Sequence, residues 1–475
     1  MDDFRLLSRD AYAQKDWPAA ADFARRAIEG GVPIGDLSHM LMILCVSLTA
    51  CGKRPRAQKR FAATIDYTAQ RGLNEADYAA PGNRLDFMLL AAIAAGDERA
   101  ADTLYRRRHP LSGDFERIAI SAVGRLDALP LPDVNILSTL PPTPIFIDMQ
   151  AQTSSLWDYT TDPITIAAVP NGSFVMGWDY VVTQNRIVIA DSGYNDLHYL
   201  PSTYPPCYLE DLNVVAHPWA DAVTHIDADV LFLSTPADFH YGHWLVDFLP
   251  RLQALELLDR PDLKIVVATE LPRKHRDLMR LFGITDDRVI NCDLGKRYQF
   301  RNVIVAQIGS YVRPNPSAIG FLRKHLGTRA AQSPKPHRRF FFERGAGTRL
   351  PANRDEVNAT LRAFGFEHID LSKLTLAEEH DLLRNAKIIV AAHGTELLAV
   401  YGVPAKAEVI ELIWDIAQDP AIGPICHFLG TRHQFLVCLE APQAVKQHYR
   451  KDRDMIVDCA ELRRRIEAAI ARADS

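Results

Sequence analysis

The sequence predicts an α/β protein in which an all-helical N-terminal region precedes two doubly wound halves, and three observations carry that prediction. Residues 1 to about 125 are alanine-rich with helical periodicity and almost no β-branched runs. From Val230 onward short apolar runs alternate with amphipathic stretches, the pattern of parallel strands joined by crossover helices. At 475 residues the chain exceeds what one hydrophobic core usually organises, and the expected domains are 1–128, 140–330 and 337–475.

Within the helical region a weak repeat runs through Asp16-Trp17-Pro-Ala-Ala20, Arg54-Pro-Arg-Ala57 and Asp97-Glu-Arg-Ala-Ala101. Alanines 37 and 44 residues apart suit helical hairpins that approach closely, so the segment resembles tetratricopeptide repeats; a generic bundle fits equally well. Prolines at 130, 132, 141, 142 and 144 then mark a boundary. Runs at 164–168, 180–182 and 186–190, separated by turn residues, predict a small antiparallel meander. The first alternating set follows: strand 230–234, a helix through Leu258, strand 264–268, helix 273–282, strand 289–290, strand 302–306 and helix 316–326. After the linker 332–337 the second set comprises strand 339–342, helix 353–364, strand 368–370, helix 375–385, strand 387–392, helix 395–402 and strand 408–413. Such a pair implies a ligand at the carboxyl ends of the strands, in a crevice between halves.

Composition excludes several classes. Fifty-four basic against 59 acidic residues leave −5, which provides no electrostatic case for nucleic acid binding. Seven scattered cysteines form no C-x-x-C pair, so reduced structural thiols are expected rather than a disulfide frame or zinc knuckle. No signal-peptide pattern is present and the early apolar stretch Met40–Ala50 is too short to span a bilayer. The expectation is a cytoplasmic protein, with room for peripheral contact at the inner face of the membrane.

Chemistry concentrates in two segments. In His240-Tyr-Gly-His-Trp-Leu-Val-Asp247 the spacings of three and four put His240, His243 and Asp247 on one helical face beside Trp244. Three readings stand. The structural one, which leads on residue physics alone, pairs Asp247 with Arg251; the second makes His243 or Asp247 a general base; the third is a two-histidine, one-carboxylate metal site. The second segment is a buried strand ending in His393-Gly394, followed by Thr395 and Glu396 at a helix start, a natural place for an anion. Arg344 and Arg349 stand past a neighbouring strand where guanidinium groups can fork onto a diphosphate, and Glu411 ends the next strand where it can meet ribose hydroxyls.

Two other motifs are weak. Gly345 and Gly347 follow a strand, but Leu350 occupies the third glycine position of a dinucleotide fingerprint and prolines intervene before a helix. Asp227-Ala-Asp229 precedes its apolar strand and is expected in a loop.

Taken together, the run 240–252, Arg344, Arg349 and Asn353, the segment 374–379 and the segment 386–412 resemble glycosyltransferase family 61, which includes bacterial capsular polysaccharide transferases. The resemblance covers roughly residues 140–440. It implies a GT-B-like pair of Rossmann-type domains, a nucleotide-sugar donor, no cofactor, no metal and inversion at the sugar. Donor binding would fall to Arg344, Arg349, Asn353, His393, Gly394, Thr395, Glu396 and Glu411, and the acceptor side to His240 and Trp244. The chain departs from the family's usual pattern at Thr395-Glu396, at Asn353-Arg354 and at Glu379, which stands where a glutamine is common.

The expectation is an inverting, metal-independent transferase that moves sugar to a hydroxyl of a glycan or lipid-linked glycan, with Asp247 or His243 activating the acceptor. The alternative is a non-catalytic protein whose helical region recruits a protein partner while the α/β part binds a nucleotide or glycan.

Overall fold

Six helices open the chain among the described residues: Phe4–Ala13, Trp17–Glu29, Ile34–Ala50, Arg54–Gln70, Arg84–Ala95 and Glu98–Arg108. This computed structural model describes residues 4–32, 34–70, 84–108, 117–126, 131–149, 155–178, 180–192, 208–233, 240–308, 313–327, 336–344, 349–414, 422–441 and 454–474. The expected Gly345 and Gly347 turn and most of the 332–337 linker lie outside them. Two units divide the chain: residues 1–135, 167–236 and 291–305, and residues 136–166, 237–290 and 306–475. This differs from the expected boundaries 1–128, 140–330 and 337–475.

The physical reason in the first unit is a shared core. Helix Ile34–Ala50 packs between Trp17–Glu29 and Arg84–Ala95. Its residues 40–47 are all buried, as befits a helix enclosed by others. Ala20, Ala57 and Ala101 are fully buried, where the absence of a longer side chain lets helices close together. The same cluster continues through Ala119, Val123, Tyr180, Val188 and Val215, so helices and strands exclude water jointly. Arg117–Gly124, expected as the tail of the helical region, is a strand; it pairs antiparallel with Val214–Trp219 and parallel with Ile187–Ile189. The Asp227-Ala-Asp229 motif also moves. It lies inside strand Val223–Phe232, where Asp229 Oδ1 accepts from Arg301 Nε at 2.8 Å and Asp227 Oδ1 from Arg301 Nη1 at 3.1 Å.

The second unit holds a five-stranded, wholly parallel sheet in the order Glu367–Ile369, Arg338–Phe342, Ala386–Ala392, Glu408–Ile413, Arg432–Val437. Numbered along the chain this is 2-1-3-4-5, a doubly wound arrangement whose direction reverses between Arg338–Phe342 and Ala386–Ala392. The fifth strand escapes a reading of the sequence because its residues, Arg-His-Gln-Phe-Leu-Val, show neither strict alternation nor a continuous apolar run. One face of the sheet packs Phe341, Ile388, Val390, Ile410 and Leu436 against Val357 and Leu361 of helix Arg354–Ala363 and Leu462 and Ile466 of helix Cys459–Asp474. Hairpin Pro144–Met149 with Ser155–Thr160 lays Ile145 and Ile147 on Ile413 and Phe435.

Helix Leu376–Leu383 begins at Thr375, whose side chain and that of Glu378 cap one another's backbone amides. The expected helix 395–402 instead closes as 3-10 turns over Thr395–Gly402. The His240 segment is equally irregular: one α-helical turn Tyr241–His243, a π-helical stretch Trp244–Phe248, 3-10 turns Leu249–Leu252 and α-helix Gln253–Leu257. A π-bulge inside a helix is strained, and such strain is found most often at functional positions.

Candidate active site

At the point where the 2-1-3-4-5 sheet reverses, the carboxyl ends of Arg338–Phe342 and Ala386–Ala392 lie side by side, with Phe342 paired to Ala391. Ligands bind outside such a reversal because the outgoing loops part there. Arg344 follows the first strand and His393-Gly394 the second. Arg344 Nη1 donates to the His393 carbonyl at 2.8 Å and Arg349 Nη1 donates to the same oxygen at 3.2 Å. Gly394 has φ 153° and ψ −168°, a region essentially reserved for glycine. A Cβ there would stand 2.1 Å from Arg344 Nη1, so only a glycine admits the guanidinium. Glu396 Oε2 lies 3.8 Å from Arg344 Nη1.

Behind this corner, Glu411 accepts from Nδ1 of His393 through one carboxylate oxygen and from Nε2 of His433, at 2.7 Å, through the other. Burial by itself would raise the Glu411 pKa; the two imidazoles outweigh it through charge and hydrogen bonds and bring it down to about 2. Glu411 is fully enclosed, so the expected contact with ribose hydroxyls is corrected: its carboxylate is consumed in orienting His393. Nothing in the sequence marks His433, because its connection to Glu411 depends on pairing between Glu408–Ile413 and Arg432–Val437.

The histidine-bearing turn packs on the same corner. A Cβ on Gly242 would stand 3.1 Å from both Thr395 Oγ1 and Leu398 Cδ1, so the first turn and the Thr395–Gly402 turns touch at van der Waals distance. His240 caps the turn, its Nδ1 accepting from the His243 amide at 3.4 Å, and the two imidazole centroids are 4.5 Å apart. Desolvation, then the neighbouring His243 and, more weakly, Arg349 and Arg344 lower the His240 pKa to about 4, so His240 is neutral at physiological pH. His243 Nδ1 donates to Asp247 Oδ2 at 2.9 Å. Asp247 is 5% exposed, whereas the His243 side chain keeps a quarter of its surface open. The sequence pairing of Asp247 with Arg251 thus gives way to pairing with His243; Arg251 instead lies over the Phe248 ring at 5.0 Å.

Two further expectations are corrected. Trp244 is wholly buried between Phe248 and His275, which leaves it no surface to offer an acceptor. Asn353 Nδ2 donates to the Val457 carbonyl at 2.8 Å and Oδ1 accepts from the Val457 amide at 3.0 Å, so this side chain pins the entry to the C-terminal helix rather than a donor. The first correction follows from burial and the second from hydrogen bonds to a segment distant in the chain, neither of which a one-dimensional pattern of helix faces resolves.

Guanidinium groups beside a backbone corner can neutralise an anion, and a histidine hydrogen-bonded to a carboxylate can take a proton. Among the described residues no group of three or more His, Cys, Asp or Glu side chains converges as metal ligands would, and no helix is long and apolar enough to cross a membrane.

Residues 241–410 match the family model described as Glycosyltransferase 61. By that match the chain is a glycosyltransferase, with a sugar donor and a glycan acceptor as its general substrates. Among curated proteins none matches the chain significantly.

Proposed function

We propose that the protein transfers a sugar from a nucleotide-sugar donor to an acceptor hydroxyl with inversion and without a metal. Arg344, Arg349 and the His393-Gly394 corner hold the diphosphate; His243 removes the acceptor proton and Asp247 orients it. The observation that carries this reading is the His243–Asp247 hydrogen bond on a turn packed against Thr395. With Nδ1–H given to Asp247, the basic lone pair of the neutral His243 ring falls on Nε2. As the acceptor oxygen bonds to the anomeric carbon, its proton passes to Nε2. The bond from that carbon to the donor's diphosphate breaks, and the charge left on the departing oxygen meets Arg344 and Arg349. Attack and departure on opposite faces invert the centre.

The 2-1-3-4-5 sheet supports reading the C-terminal part as the donor side of a GT-B-like fold. Stacked N-terminal helices with buried Ala20, Ala57 and Ala101 support a tetratricopeptide-like region that recruits a protein partner. The test is release of nucleoside diphosphate from a panel of nucleotide sugars on addition of glycan acceptors. Release should be lost in His243→Gln; full turnover in that variant overturns the base assignment.

A further inference from the structure

The turn that carries His240 and His243 has a single α-helical residue triplet before it widens into a π-helical stretch, so its own backbone bonds hold it weakly. Its position comes from what its side chains are tied to. Tyr241, between the two histidines, sets its hydroxyl against the Glu379 carboxylate. Glu379 is 4% exposed and also takes Lys274 Nζ at 2.5 Å. Lys274 Nζ lies 4.8 Å over the Tyr241 ring and donates to the Leu371 carbonyl at 3.3 Å, while His275 sets its edge against Tyr241 at 5.8 Å. Tyr241 is thus clamped by helices Arg273–Leu281 and Leu376–Leu383, and its neighbour Gly242 is seated on Thr395 and Leu398.

We propose that Glu379 is a positioning residue for sugar transfer: through the Tyr241 hydroxyl it sets where His240 and His243 stand relative to the Arg344–Gly394 corner. Burial raises the Glu379 pKa, and Lys274 and the Tyr241 hydroxyl oppose that rise, which fits a carboxylate held by two donors. A glutamine retains an acceptor oxygen for Tyr241, whereas a leucine of similar size retains none. The proposal rests on the reading of His243 as the base for its effect on turnover, but not for its effect on the turn.

The test uses the full chain with Glu379→Leu, Glu379→Gln and Tyr241→Phe. Hydrogen exchange reads the amides of His243 and Trp244, the latter bonded to the His240 carbonyl at 3.0 Å. In Glu379→Leu and Tyr241→Phe these amides should exchange about tenfold faster while strand Ala386–Ala392 keeps its protection, and Glu379→Gln should restore slow exchange. In sugar transfer the same two variants should lose roughly tenfold to a hundredfold in kcat with donor KM little changed, and combining them should add nothing. Wild-type exchange at His243 and Trp244 in Tyr241→Phe overturns the proposal, and that variant decides the matter if Glu379→Leu does not fold. If His243→Gln keeps its turnover, the base assignment falls while the exchange result still judges the clamp.

Discussion

Asp247, buried within a π-helical turn, accepts a hydrogen bond from Nδ1 of His243 at 2.9 Å. The widened turn matters because it is where a helix departs from the geometry its neighbours would impose, and here it coincides with a carboxylate that selects a tautomer for His243.

The pair predicts a division of labour. His243→Gln should lower kcat by about a hundredfold or more, the usual contribution of a positioned base, and Asp247→Asn should lower it by less, since the imidazole remains but its tautomer is no longer enforced. Donor affinity measured by calorimetry should be nearly unchanged in both. Loss of donor binding in either variant would move these residues to the donor side.

Arg344 should act in the opposite sense. Arg344→Ala removes a charge-assisted donor worth about 1.5–3 kcal/mol and should weaken nucleoside diphosphate binding about tenfold to a hundredfold. Titration of the variant with nucleoside diphosphates checks this, and unchanged affinity would place the anion elsewhere.

Gly394→Ala tests the corner itself. Its φ of 153° with ψ of −168° costs an L residue about 1–3 kcal/mol, and the new methyl carbon would overlap the Arg344 guanidinium. Thermal unfolding should show a lowered Tm, and diphosphate binding should fall as Arg344 is displaced. A variant with wild-type Tm would mean that the corner relaxes without cost.

Stability should fall in acid through two windows. His217 is buried in the other unit, its Nε2 accepting from Ser121 Oγ at 2.8 Å and its Nδ1 donating to the Pro218 carbonyl at 3.0 Å. Burial is the main cause that lowers its pKa from 6.5 to about 3. The unfolded chain therefore binds the extra proton first, and stability complete above about 6.5 is lost as pH falls toward 3. Glu411 acts lower: its pKa drops from 4.5 to about 2, so its contribution, about 3 kcal/mol, is present above 4.5 and lost as pH falls toward 2. Urea unfolding across pH 7 to 3 should show His217→Gln flattening the first window and Glu411→Gln the second. Parallel curves for wild type and variants would contradict both assignments.

Much of the site was legible in the sequence because polar residues interrupt apolar runs where they do chemistry. His243 and Asp247 lie within Gly242–Leu252, otherwise a buried segment that His240 closely precedes, and His393 follows the apolar run Ile388–Ala392. The partners were not legible. Glu411 reads as a strand-end carboxylate, yet its neighbours are His393, 18 positions away, and His433, 22 positions away. Asn353 and Trp244 share residue types with ligand-binding positions, but one is spent on Val457 and the other on the core. Glu379 was visible only as a carboxylate where a glutamine is common, and nothing local ties it to Tyr241.

The sequence by itself determined the α/β class, the strand and helix periods and the residue types able to bind an anion or move a proton. These depend on interactions within a few residues, which a linear pattern records. Only the tertiary structure decided the 2-1-3-4-5 strand order, the merging of the helical region with the meander around one core, and the choice of His243 over Arg251 as the partner of Asp247. Those outcomes compare hydrogen bonds and burial between segments far apart in the chain, and their free energies exist only once the chain has closed on itself.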